Sequence, residues 1–460
     1  MRKVCYIIIM EVDIMRFESF SHLLSHWADA APDAPALRYG ERTLSHAALW
    51  EAVQARARAL RGTGRTCLGI FPDGSADCVI ELLAANIAGM QTVLLDDSLP
   101  DEALTSLLRY TDADLLWGDA ELCDALSTAL TEGVEDGAGR ILFFTSGTTE
   151  RSKAVVLTDR SLCQSAYNGS AMLPLSPEDT LLCILPLNHV FGFVCGLLWG
   201  LSCGACVALG RGPRHYADDC GYYRPTALSA VPALLGFLMK TNALNPELSL
   251  VLVGAGDCPA ALLDGVRALG VRVSFGYGLT EVSSGVAIST GGDPFAMDVC
   301  PDDTITLAED GEVLIEAPTC VMQGYYKRPE DTARALEGGV LHTGDLGRFD
   351  ENGRLHITGR KKDVLVLADG TKLFLPEYEA ALMGALGHTE LAVILRDGRP
   401  VLVFSGTGDL DAVTQALRPV MAGLPRGQQL AGVILTDAPL PRTATGKIKR
   451  WELQQKAGQL

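Results

Sequence analysis

A chain of 460 residues is too long for one ordinary domain, and 48% apolar with 20% charged residues excludes general disorder. Lys and Arg number 38 against 56 Asp and Glu, a formal net charge of −18. An acidic surface of this size argues against general nucleic-acid or anionic-membrane binding, while a local basic pocket remains compatible with it.

The 48 glycines favour a turn-rich α/β protein over a helical bundle. Thirteen cysteines, odd in number and scattered, suit reduced thiols in a cytoplasmic protein. Cys203 and Cys206 have CxxC spacing, but no second pair follows at a distance that would complete a zinc site, so they read as small apolar residues. Residues 1–15 begin basic and carry a short apolar run broken by Glu11 and Asp13. The run is too short to span a bilayer and lacks a small-residue cleavage site. It reads as an exposed extension or a first strand.

From Phe17 to Gly210 helices alternate with short apolar strands. Glu51–Leu60 reads as a helix, Cys67–Phe71 as a buried strand, Ala76–Gly89 as an apolar helix and Thr92–Leu95 as a strand. Such alternation predicts parallel sheets covered by helices. Leu248–Val253 and Val271–Phe275 are two further strands, each running into glycines, Gly254-Ala255-Gly256 and Gly276-Tyr277-Gly278. Ligands gather past the carboxyl ends of strands in such sheets, so both corners are candidate site walls. After Thr304 the character changes: Glu312–Ile315, Val340–His342 and Arg354–Ile357 read as a small antiparallel module, with Asp350-Glu351-Asn352-Gly353 as a hairpin turn. The charged stretch Gly359–Asp363 then marks a boundary. The chain thus divides into an N-terminal domain over 16–358 and a small mobile α+β domain over 359–460, with its own strands at Leu391–Leu395, Val401–Phe404 and Val433–Leu435.

The segment most suggestive of chemistry is Thr145-Ser146-Gly147-Thr148-Thr149-Glu150-Arg151-Ser152-Lys153, between the strands Ile141–Phe144 and Ala154–Leu157. Hydroxyls and free backbone N–H groups can donate to phosphate oxygens, and Lys153 adds a mobile cation. No glycine precedes Lys153 and no helix pattern starts there, so this is not a Walker loop. Taken alone, a polar surface hairpin would read the same way.

The loop resembles the TSGTTGxPKG signature of adenylate-forming enzymes, the superfamily of acyl-CoA synthetases, peptide-synthetase adenylation domains and luciferases. It departs from that signature at Glu150, Ser152 and Ala154, where the family favours Gly, Pro and Gly. Further segments match in order: Pro186-Leu187-Asn188-His189-Val190-Phe191-Gly192, Gly254-Ala255-Gly256, Gly276-Tyr277-Gly278-Leu279-Thr280-Glu281, His342-Thr343-Gly344-Asp345, Gly359-Arg360-Lys361-Lys362-Asp363 and Pro441-Arg442-Thr443-Ala444-Thr445-Gly446-Lys447. Ser283–Asp303 is short where the family carries a glycine-rich segment. In isolation His189 could equally be a satisfied core histidine, and the charge run at Lys361 a solvated linker.

The resemblance implies that Thr145, Ser146, Gly147, Thr148 and Thr149 cradle the phosphates of ATP, with Lys153 beside them. Tyr277 and Gly278 would line the adenine, Thr280 would touch phosphate, and Glu281 would hold Mg²⁺, an ion that prefers oxygen ligands. Gly254, Ala255 and Gly256 would form the other wall, and His189 would gate the acid pocket. Asp345 would accept both ribose hydroxyls with help from Arg360. Lys362 would be the pivot of the C-terminal domain, Gly370 would leave room for a pantetheine arm, and Lys447 would reach the carboxylate and α-phosphate. The activity implied is ATP-dependent conversion of a carboxylic acid to an acyl-adenylate, then transfer to the thiol of CoA. No Asp lies in Val190–Gly196 to grip an α-amino group, and the apolar run Phe191–Leu201 suits a fatty or aromatic acid, so the fatty acyl-CoA ligases are the branch most resembled. Two alternatives stand beside it. The thiol could belong to the phosphopantetheine of an acyl carrier protein, or Glu150 could mark a degenerate, non-catalytic nucleotide or acyl binder. Neither a nucleic-acid partner nor an integral membrane segment is expected.

Overall fold

The computed structural model describes residues 15–135, 137, 139–145, 153–256, 258–367, 372–406, 409–442, 448 and 450–457. Nearly all of the expected N-terminal extension therefore lies outside the described residues, as do Ser146, Gly147, Thr148, Thr149, Gly370 and Lys447.

Among the described residues, two large sheets carry the N-terminal part. In the first, of nine strands, Cys206–Leu209, Thr180–Cys183, Ala227–Ala230, Leu250–Val253 and Arg272–Leu279 lie side by side and parallel. In the second, of six strands, Leu115–Trp117, Cys67–Ile70, Gln91–Leu94 and Arg140–Phe144 are parallel, and Ala154–Thr158 and Gly324–Tyr325 extend it antiparallel. The two sheets share one core. The helix Ala76–Ile87 sits in it with Val79, Leu82 and Leu83 at 0–2% exposure, packed with Leu37 and Val207 of one sheet and Ile70, Ile141 and Phe143 of the other. That helix is apolar almost all round, as a helix covered on two sides must be, and Ser75 caps it by accepting from the Cys78 N–H. Helix-covered, mostly parallel sheets are what the alternation predicts.

A five-stranded antiparallel module follows, built on Thr304–Leu307, Glu312–Glu316, Val340–Phe349 and Leu355–Arg360 with the short strand Leu336–Glu337. From Leu365 on, the described apolar residues pack in two clusters of their own around the strands Leu391–Arg396, Arg399–Ser405 and Gly432–Thr436. Lys361–Asp363 form a short 3₁₀ turn between module and C-terminal part. Gly359, in the last strand of the module, lies under a side chain from beyond that turn: a Cβ there would sit 2.1 Å from the Phe374 ring. No helix among the described residues is long and apolar enough to cross a membrane.

Two expectations need correction. Gly276-Tyr277-Gly278 is not a corner beyond a strand; the strand runs through to Leu279, because Ser284–Ile288 folds back and pairs with it antiparallel. Gly278 permits this, since a Cβ there would lie 1.6 Å from the Ser284 carbonyl oxygen. Likewise the strand expected at Val340–His342 continues to Phe349, which places Thr343-Gly344-Asp345 within it rather than after it. Pairing with Glu312–Glu316 on one side and Leu355–Arg360 on the other sustains the longer strand.

Candidate active site

The site is assembled on the hairpin that begins with Arg272–Leu279. Tyr277 lies in the strand, Thr280 and Glu281 in the single 3₁₀ turn that follows, and the backbone of Ser283 and Ser284 takes φ values of 58° and 122° to reverse direction. Positive φ at non-glycine residues marks stored backbone strain. The hairpin therefore holds an aromatic ring and a carboxylate four residues apart at fixed separation.

At the Tyr277 end stands Asp345, 3% exposed. Its carboxylate accepts from the Tyr277 hydroxyl at 2.9 Å and from Arg360 Nε at 2.9 Å. Arg360 faces Asp345 because the strands Val340–Phe349 and Leu355–Arg360 pair in that register. Burial raises the Asp345 pKa above the ordinary carboxylate value, and the Arg360 charge and the Tyr277 hydroxyl oppose that rise. Tyr277 is raised well above its usual value, by burial first and then by the Asp345 charge, and remains a phenol that donates. Behind Asp345, Glu312 accepts from the Gly344 N–H at 2.8 Å and pairs with Lys361 at 2.9 Å. Lys362 is exposed and adds its positive charge to the field at Asp345.

At the other end, Glu281 Oε1 accepts from the Tyr325 hydroxyl at 2.7 Å, and the Glu281 carbonyl accepts from the Met322 N–H at 2.7 Å. Tyr325 is brought there by pairing of Gly324–Tyr325 with Val155 and Val156, in the strand that leads out of the loop expected to bind phosphate. Lys153 immediately precedes that strand. Its Nζ lies 4.5 Å from the centre of the Tyr325 ring and 3.4 Å from Asp331 Oδ1. The Thr145 N–H donates to the Lys153 carbonyl at 3.0 Å, so the two ends of the loop are clasped together.

On the remaining side, Gly254 is buried and Ala255 and Gly256 are exposed, with Ala255 at φ 64°. Phe191 packs on Gly254: a Cβ there would lie 3.1 Å from its ring. His189 is partly open to solvent; its backbone N–H donates to the Pro186 carbonyl at 3.3 Å, and the partial burial of its ring lowers the ring's pKa against the opposing charge of Asp96. It opens a turn that winds into the π-helix Gly192–Leu198. Gly192 is obligatory, because a Cβ would meet the Pro186 carbonyl oxygen at 2.2 Å. Cys203, in the CxxC pair, points its thiol at Ser170 Oγ, while Cys206 is buried in a strand.

Tyr277, Asp345 and Arg360 are thus joined directly, Glu281 and Lys153 are joined through Tyr325, and the hairpin links the two groups. Tyr325 and Asp331 were missed in the sequence. The signal was present in Gly324-Tyr325-Tyr326-Lys327-Arg328-Pro329, where a glycine, paired aromatics, two cations and a helix-opening proline follow an antiparallel strand.

The family model for AMP-binding enzymes matches residues 24–141 and 137–326. The oxalate–CoA ligase of Arabidopsis thaliana is 29% identical, with 95% of this chain and 98% of that protein covered. The 2-succinylbenzoate–CoA ligase of Geobacillus sp. (strain WCH70) is 27% identical over 95% and 97%. Among solved structures, the O-succinylbenzoate coenzyme A synthetase of Bacillus subtilis in complex with ATP and magnesium ion superposes with a TM-score of 0.77 at 24% identity, covering 94% of this chain and 98% of that one. With the family model covering well over half of the chain, the protein belongs to the AMP-binding enzymes.

Proposed function

We infer that this protein uses ATP to activate a carboxylic acid and passes the acyl group to the thiol of CoA. A carboxylate is a poor acyl donor, because its leaving group would be oxide. In the first step a carboxylate oxygen attacks the α-phosphorus and pyrophosphate leaves. In the second, the thiol sulfur attacks the acyl carbon, the mixed anhydride breaks, AMP leaves and the thiol proton is released. The observation that carries this reading is the placement of Asp345 with Arg360 and Tyr277 at one end of a rigid hairpin, and of Glu281 beside Tyr325 and Lys153 at the other. The first group suits a ribose diol. The second offers a cation and a carboxylate where a polyphosphate needs both.

In this reading Asp345 accepts the ribose hydroxyls, and Tyr277 and Gly278 border the adenine. Gly254, Ala255 and Gly256 face them. Thr145 and Thr280 donate to phosphate, and His189 stands beside the acid. The donor set fits Mg²⁺, which is bound through one or two carboxylates together with substrate phosphates, and Glu281 supplies such an oxygen. Held by Glu281, the ion would supply charge neutralisation at the polyphosphate. Lys153 contributes positive charge as negative charge gathers on phosphate in the transition state. Ser146, Gly147, Thr148, Thr149 and Lys447 keep the roles that their motifs imply. Residues 16–358 and 359–460 act as two domains, and rotation at Lys362 withdraws Lys447 to open the thiol path.

The named substrates of the relatives include oxalate, 2-succinylbenzoate and, in an Amycolatopsis feruloyl-CoA synthase 28% identical to this chain, an aromatic acid. They favour an aromatic or dicarboxylic acid and CoA over a long fatty acid and a carrier protein. Thirteen cysteines fit a reducing cytoplasm. The test is pyrophosphate release over a panel of fatty, aromatic, dicarboxylic and amino acids, with and without CoA. Release that depends on one acid, with thioester formed only when CoA is added, supports the reading. No release with any acid sinks it.

A further inference from the structure

Tyr325 touches both of the charged groups at the polyphosphate end, and neither contact follows from the sequence motifs. Its hydroxyl donates to Glu281 Oε1 at 2.7 Å, while its ring face lies under Lys153 Nζ, 4.5 Å from the centroid. It is 9% exposed, and its backbone is pinned by a Tyr325 N–H bond to Thr332 Oγ1 at 2.9 Å and by pairing with Val155. Lys153 takes its ion pair from Asp331 at 3.4 Å rather than from Glu281. Arg328 and Arg334 also pair with Asp331, so that carboxylate is shared among three cations.

A direct Lys153–Glu281 pair would consume both the cation meant for phosphate and the oxygen meant for a metal ion. An aromatic ring between them attracts the ammonium through its quadrupole without neutralising it. A hydroxyl bonded to one carboxylate oxygen fixes the rotamer and leaves the charge in place.

Resting on the nucleotide reading above, we propose that Tyr325 is a positioning residue that keeps Lys153 and Glu281 apart and aims the Glu281 carboxylate at Mg²⁺. Its two halves have separable jobs. The hydroxyl governs the metal requirement, and the ring governs the availability of Lys153.

The experiment is a binding titration and needs no turnover. A fluorescent ATP analogue at fixed concentration is followed by anisotropy in the full-length protein as Mg²⁺ is added, for wild type, Tyr325→Phe and Tyr325→Leu. Tyr325→Phe is expected to raise the Mg²⁺ half-saturation about tenfold, the scale of one hydrogen bond to a charged group, while metal-free binding of the analogue stays within about twofold. Tyr325→Leu is expected to raise the Mg²⁺ half-saturation further and also to weaken metal-free binding by roughly three- to tenfold, as Lys153 closes onto Glu281. A Tyr325→Phe protein with the wild-type Mg²⁺ requirement overturns the proposal and leaves the nucleotide reading standing. A wild-type protein whose binding of the analogue does not respond to Mg²⁺ overturns both. If Tyr325→Phe does not fold, Thr332→Val carries the test, because it removes the acceptor of the Tyr325 N–H, together with a bond to the Arg328 carbonyl, and leaves the Tyr325 side chain intact. A rise of about two- to fivefold in the Mg²⁺ half-saturation supports the proposal, and no change overturns it.

Discussion

Two aspartates, Asp345 and Asp303, are both withdrawn from water, and they have been treated differently. Asp345 is 3% exposed and bonded by a guanidinium and a phenol. Asp303 lies where the helix Asp159–Met172 meets the start of the antiparallel module. It accepts from Asn168 Nδ2 at 3.0 Å, and its buried Oδ1 has no hydrogen-bond partner. Its surroundings are the thiols of Cys300 and Cys320 and the charge of Asp302, which is itself paired with Arg16. Burial pushes the Asp303 pKa to about 7, and the Asn168 bond only partly opposes the rise. The carboxylate proposed to accept hydrogen bonds from a ribose has been given a cation; one that serves packing has been left to bind a proton.

Neither aspartate makes or breaks a bond, so the largest effect is expected elsewhere. Lys447→Ala should slow ATP–pyrophosphate exchange by roughly 10²–10³-fold, the scale of one lost transition-state donor. Unchanged exchange would remove that lysine from the first step. Asp345→Ala comes next. It should cost about 1.5–3 kcal/mol of nucleotide binding, a rise in KM for ATP of roughly 10- to 100-fold, with a smaller effect on kcat. A KM equal to wild type would place the ribose elsewhere.

Asp303 sharpens the contrast through stability. Its folded pKa lies above its unfolded value, so folding favours the protonated form. The stability it contributes is complete below about pH 4 and is lost as pH rises toward 7. Asp303→Asn should flatten that part of the stability–pH curve and raise stability at pH 8, on the order of 2 kcal/mol after allowance for partial exposure. Denaturant melts at pH 5 and pH 8 measure it, and parallel shifts at both values would contradict it. The smallest effect belongs to Tyr277→Phe. Losing the phenol should weaken nucleotide binding by about 1 kcal/mol, roughly fivefold, with Arg360 still holding Asp345. A calorimetric titration with AMP reads this directly.

What the sequence made legible follows a physical rule. Tyr277, Glu281, Asp345 and Arg360 sit in short motifs that carry the family resemblance, and the structure brings Tyr277, Asp345 and Arg360 into contact, with Glu281 on the same hairpin as Tyr277. The parallel sheets were legible from the alternation of apolar runs, because strands buried on both faces carry continuous Val, Leu and Ile. Tyr325 and Asp331 were not found. Their positions depend on pairing of Gly324–Tyr325 with a strand nearly 170 residues upstream, as the Tyr325–Val155 register shows, and no local pattern reports that. The extension of Val271–Phe275 through Gly278 was missed for a related reason: a glycine pair reads as a turn until the partner strand that needs the close approach is known.

The ring of Phe374 seated on Gly359 has a mechanical consequence. The rotation proposed about Lys362 would first have to peel that aromatic off the bare backbone. A half-buried phenylalanine leaving that seat forfeits about 1 kcal/mol, less than full burial is worth. The resting arrangement would then be latched by default, and whatever ligand drives the swing has to outbid one benzyl group.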